Sequence, residues 1–175
     1  MDFVFLHTGH FGPPPFTTRL LVNVVAGLFA TIVMNIPMKT LREGQTPPFV
    51  AASALSGDDL PEVPSALASG IHYGAGMLGG VLYTLLVVGF EDVVPVPPLA
   101  FIEGTGLALG PHLLAGAVVL AFLYGFFAYL VLPRFGQSAY AEERRDRVRA
   151  DWLRSALVYV TALLVLVPLL TVTFV

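Results

Sequence analysis

Cysteine is absent from the 175-residue chain. That excludes disulfides, thiolate nucleophiles, iron–sulfur clusters and Cys-ligated zinc or copper. Charge is scarce as well: 12% of residues are Asp, Glu, Lys or Arg, where a soluble domain carries about 25%. A surface with so few charges must largely face something other than water. Lysine is nearly missing, since Lys39 stands alone beside eight arginines. At a net charge of −3, nucleic acid is not an expected partner. No nucleophile–base–acid set, phosphate-cradling glycine loop or metalloprotease spacing occurs. No catalytic residue can therefore be named, and no motif specifies a cofactor.

What the chain does have is apolar length. Hydrophobic residues make up 56% of it, and they fall in four runs. The stretch 69–89, SGIHYGAGMLGGVLYTLLVVG, carries no charge and holds Gly70, Gly74, Gly76, Gly79 and Gly80. In water each glycine would cost a helix up to ~1 kcal/mol. In lipid every backbone amide must be bonded within its own segment, and small residues let a second helix approach closely.

The expected spans are 19–38, 64–90, 111–132 and 152–174, each near the roughly 20 residues that cross a bilayer. The fold class that follows is all-α: a single transmembrane domain over 1–175, an integral bundle of four membrane helices. Residues 1–18 have no basic residue ahead of an apolar core, unlike a secretory signal peptide. Pro13-Pro14-Pro15 breaks any helix there, leaving an arm with aromatic anchors Phe3, Phe5, Phe11 and Phe16. Pro47-Pro48 opens a segment too short to span, expected as a short helix lying on or dipping into the interface. The apolar stretch 100–110 suggests a second interfacial piece. The loop 134–151 is dense in mixed charge.

Four spans put both termini on one side. The other side holds Lys39, Arg42, Arg134, Arg144, Arg145, Arg147, Arg149 and Arg154, against Arg19 alone. Eight to one predicts termini outside and the Arg-rich loop in the cytoplasm. It also argues against a dual-topology antiparallel dimer, which needs balanced charge.

Three sets of residues are candidates for function. Gly70/Gly74, Gly76/Gly80 and Gly106/Gly110 have small-xxx-small spacing and are expected at helix–helix contacts, within the chain or with a partner. Asn23, Asn35, His72, Glu103 and His112 are polar residues in apolar surroundings, hence candidates for proton, ion or substrate handling. Glu91 and Asp92 are expected to cap the outer end of span two. His7, His10 and His112 lie toward the outer face and are the metal candidates. His72 and His112 should sit at opposite faces, roughly 30 Å apart, too far to be the two axial ligands of one haem. A weak echo recurs in three spans: Asn23-Val-Val-Ala-Gly27, His72-Tyr-Gly-Ala-Gly76 and His112-Leu-Leu-Ala-Gly116 each set a polar residue one turn above a small patch.

AGLFATIVMNIPMKTL (26–41), TPPFVAASALSG (46–57) and HYGAGMLGGVLY (72–83) together resemble a group of small four-helix membrane proteins from haloarchaea with no assigned function. The resemblance covers about the first half of the chain. Its motifs are structural, so it transfers no site residues. It implies a four-helix protein of a prokaryotic plasma membrane and makes a place beside a larger complex, such as a respiratory one, the expected role. The partners are then the bilayer and either other membrane subunits or further copies of the chain. The two competing expectations are a homo-oligomeric channel or transporter and a metal- or haem-binding redox protein.

Overall fold

The computed structural model describes residues 13–94 and 96–175. The N-terminal arm with His7, His10, Phe3, Phe5 and Phe11 lies outside them. Four of the helical segments are long and apolar enough to cross a membrane: Phe16–Thr40, Ser65–Val93, Leu109–Phe135 and Glu142–Phe174. The chain is a multi-pass, all-helical membrane protein with almost no sheet.

Helix α1 (Phe16–Thr40) starts where Pro15, extended at φ −52° and ψ 148°, ends the proline run. Its buried residues, Arg19, Asn23, Ala26, Gly27, Ala30, Thr31, Met34 and Met38, recur every three or four positions. That is one helix face. The other face carries Leu21 and Ile36, each 67% exposed. Large apolar side chains so placed suit contact with lipid and not with water.

Helix α2 (Thr46–Ser56) is opened by Pro47-Pro48 and closed by Gly57 at φ 81°. Glycine at that position carries no Cβ penalty for the left-handed turn that ends the helix. Its 11 residues reach about 16 Å, well short of a span. The short helix expected here forms, and it packs into the bundle's end. Val50 packs with Phe127, Leu132, Ala139 and Val148, and Ala52 packs with Val63 and Ala68. Apolar residues on two sides of α2 are thereby covered by protein.

Helix α3 (Ser65–Val88) continues through one wide π turn, Gly89–Val93. Strands β1 (Phe101–Ile102) and β2 (Leu107–Ala108) form a minimal antiparallel hairpin. Helix α4 (Leu109–Phe126) is followed by a π turn, Phe127–Val131, and by the short helix α5 (Leu132–Phe135). The wide turn carries the helical path past Pro133, which has no N–H to donate. The third segment therefore runs past the proline expected to end it. Helix α6 (Glu142–Phe174) is continuous over 33 residues. The charged stretch is its first turns.

The long helices pack in an antiparallel ring. α1 lies between α3 and α6, and α4 closes the ring against α3 and α6. One core runs through it, from Met34 and Met38 on α1 to Tyr83, Val119, Tyr159 and Leu163. Arg19 and Glu91, joined by an ion pair, mark one end, and the described chain starts and finishes there. The other, basic, end gathers α2, α5 and the charged start of α6.

Candidate functional site

The interior is organised by a crossing of α1 over α3. A Cβ on Gly27 would collide with the Gly76 carbonyl, and one on Gly80 with the Asn23 carbonyl. The two backbones touch, which only glycine permits. Asn23 sits at this contact and donates from Nδ2 to Thr84 Oγ1 at 2.9 Å, while the Thr84 hydroxyl donates to the Gly80 carbonyl at 2.9 Å. Both side chains are buried. From α6, the Tyr159 hydroxyl crosses the ring and donates to the Gly76 carbonyl at 2.7 Å. Gly79 is small because Tyr159 lies against it.

Glycines with the same spacing divide sharply. Gly76 and Gly80 make the crossing. Nothing lies within 4 Å of a Cβ built on Gly70 or Gly74, so among the described residues they pack against no other helix. Gly74 and Gly76 are two residues apart, which places them on different faces of α3. Gly106 and Gly110 are not a helical pair. Gly104 and Gly106 form the hairpin turn at φ 74° and 66°, where Thr105 Oγ1 donates to the Ile102 carbonyl at 2.7 Å. Gly110 is in the first turn of α4, against the Pro97 carbonyl. The positive φ values of the Gly-Thr-Gly turn make the apolar stretch 100–110 a hairpin.

Glu103 lies on this hairpin and is exposed. It is not buried between helices. The acid with a buried partner is Glu91, expected only to cap its helix: its carboxylate accepts from Arg19 Nη2 at 2.7 Å. The π turn carries Glu91 alongside the first turn of α1.

His112 joins three helices. Pro168 interrupts α6 chemically but not geometrically: it has no N–H, so the Leu164 carbonyl lacks its ordinary helical donor. His112 Nε2 is the donor to that carbonyl, at 2.9 Å. Nε2 thus carries the proton, which leaves Nδ1 to accept from the Tyr83 hydroxyl. The two rings meet edge to face. Both nitrogens of His112 are occupied, so as arranged it has none left to offer a metal. No group of three or more His, Asp or Glu suited to a metal exists among the described residues.

His72 is linked to α1. It donates from Nε2 to Asn35 Oδ1 at 3.1 Å, and Asn35 Nδ2 donates to the Tyr73 hydroxyl at 2.9 Å. His112 bonds Tyr83, eleven residues beyond His72 on α3, so the two histidines differ in depth by about 16 Å. The separation is smaller than the span ends alone imply because each histidine lies inside its helix. Axial ligation of one haem remains out of reach.

The Asn35–His72–Tyr73 cluster is the floor of a cavity of about 400 Å³ that opens near the basic end. α1 contributes Asn35 and Lys39, α2 with its preceding residue contributes Gln45, Pro48 and Phe49, and α3 contributes Ser65, Ser69, His72 and Tyr73. The cavity follows from the glycine crossing: two helices in backbone contact at Gly27 and Gly76 diverge toward their ends. α2 fills only part of the gap.

At the same end Glu43 holds α2 to α6. Its carboxylate accepts from Arg144 at 3.0 and 2.7 Å and from Thr46 Oγ1 at 2.7 Å. Its N–H donates to Asp151 Oδ2 at 3.1 Å. The Arg144 guanidinium pulls the Glu43 carboxyl below its ordinary pKa, against the opposing effect of burial.

Asn23, Asn35, His72 and His112 are therefore interior polar residues, whereas Glu103 is not. Tyr83, Tyr159, Thr84, Thr31 and the Glu91 and Glu43 pairs escaped the sequence reading. One signal was available: Tyr83 lies seven residues after Gly76 and four after Gly79, on the same helix face. No family model, curated protein or solved structure matches this chain.

Proposed function

We propose that this protein is a small integral subunit or accessory protein of a larger membrane assembly in a prokaryotic plasma membrane, with the basic end cytoplasmic and both termini outside. The observation that carries this reading is the closure of the polar interior. Asn23 is bonded to Thr84, His112 to Tyr83 and Leu164, and Tyr159 to Gly76. Each of these groups serves a neighbouring helix and is not left over for a moving ion. The open faces at Gly70 and Gly74 agree with it, since a further helix can lie there without moving a side chain. The orientation rests on the eight basic residues at one end. The haloarchaeal resemblance supports the membrane, and a respiratory partner is its extension.

The test is purification from the native membrane in mild detergent, followed by mass spectrometry. Stoichiometric partner subunits are expected, and their identity names the process. A chain that elutes only with itself overturns the reading.

The cavity at Asn35, Lys39 and His72 favours a second reading, a homo-oligomeric transporter. Solute flux in liposomes, lost in Asn35→Ala and His72→Ala, would support it.

A further inference from the structure

We propose that the cavity between α1, α2 and α3 binds the phosphate group of an anion, either a lipid head group or a soluble phosphate, through Lys39.

The lining carries one sign of charge. Lys39 is the only ionised side chain among its residues, and no Asp or Glu is present. In the described ion pairs the acids are Glu91, Glu43, Asp146 and Asp151, and every partner is an arginine. Lys39 belongs to none of them.

The donors on the cavity wall fall into two groups. Asn35, His72 and Tyr73 are bonded to one another and form a fixed floor. Gln45, Ser65, Ser69 and Lys39 line the same space, and none of the four makes a side-chain hydrogen bond among the described residues. All four are exposed; donors without a protein partner in the wall of one cavity, with a single cation among them, form a complementary environment for an oxyanion with several acceptor oxygens. A phosphate group offers such oxygens, and charge-assisted bonds to it are roughly twice as strong as neutral ones.

Position agrees with chemistry. Lys39 stands next to the last residue of α1, and Ser65 is the first of α3. Asn35 and His72 lie one to two turns deeper. The cavity therefore runs inward from the depth of the helix ends, where lipid phosphates sit. Arg147, an exposed cation at the same end, is outside the lining and serves as the control.

The experiment follows thermal unfolding of the full-length chain in dodecyl maltoside by the fluorescence of its single tryptophan, Trp152. Inorganic phosphate and dioleoylphosphatidylglycerol are titrated separately. Chloride at matched ionic strength and a neutral galactolipid are the respective controls. A saturable rise in Tm beyond the control is expected with at least one of the two. Lys39→Ala should weaken the apparent affinity about tenfold, Lys39→Arg should restore most of it, and Arg147→Ala should leave it unchanged. A response to phosphate assigns a soluble anion, and a response to the lipid alone assigns a head group. The proposal is overturned if neither probe gives a saturable rise, or if Lys39→Ala and Arg147→Ala respond alike. The measurement uses the isolated chain, so its outcome is independent of whether partner subunits exist.

Discussion

His112 Nε2 lies 2.9 Å from the carbonyl oxygen of Leu164, the acceptor that Pro168 deprives of its helical donor. A proline in α6 thus creates a docking point for a histidine in α4. Tyr83 on α3 bonds the other ring nitrogen, so one imidazole ties three helices together. A polar residue in lipid has no water to fall back on, and its partners must come from the protein.

His112→Ala should destabilise the fold by about 1–3 kcal/mol, because it leaves the Leu164 carbonyl and the Tyr83 hydroxyl unpaired. Pro168→Ala supplies an amide at position 168 that can bond Leu164 within α6. The loss in the double variant should then be smaller than the sum of the two single losses, by about 0.5–1 kcal/mol. A double-mutant cycle of thermal unfolding in detergent checks this. Strict additivity would mean that the released carbonyl does not anchor His112.

The glycines of α3 should separate into two classes. Gly80→Ala meets the Asn23 backbone, and Gly76→Ala meets Thr31. Each should cost about 1–3 kcal/mol through forced separation of the helices. Gly70→Ala and Gly74→Ala add a methyl to open space and should leave the isolated chain's stability unchanged or slightly raised. Gly70→Leu and Gly74→Leu should keep the fold yet release partner subunits from native membranes. Co-purification measures that release.

Stability should fall on acidification through Glu43. Arg144 holds its folded pKa below the ordinary 4.5. The contribution is therefore present above that ordinary value and is lost as pH falls through the lower folded one. Arg144 is 42% exposed, so water screens the pair and the contribution is about 1 kcal/mol or less. Tm measured from pH 6 to 3 should drop less in Glu43→Gln than in the unaltered chain.

Arg19 and Glu91 are a shielded pair, with side chains only 9% and 17% exposed. Arg19→Ala leaves the carboxylate uncompensated and should cost about 3–5 kcal/mol. Glu91→Gln in the same background should recover part of that loss, since it removes the stranded charge. Resistance to protease in detergent gives a simple readout. No recovery would mean that Glu91 reaches water without Arg19.

The membrane class and the four long helices were legible in the sequence because both depend on local properties. A run of apolar residues about 20 long must bond its own amides in lipid, whatever its neighbours do. The proline-opened α2 and its Gly57 stop are local as well. Contacts are not. Gly70/Gly74 and Gly76/Gly80 share one spacing, and only the placement of α1 decides that the second pair is covered. The turn at Gly104 and Gly106 reads as an apolar stretch in one dimension, and its left-handed residues make it a hairpin. His112 reads as a free ligand until α6 brings Leu164 beside it. Sequence alone set which segments enter the membrane, since burial in lipid is a property of each segment. The tertiary structure decided which polar groups find partners and where a cavity remains, because both depend on distances between helices.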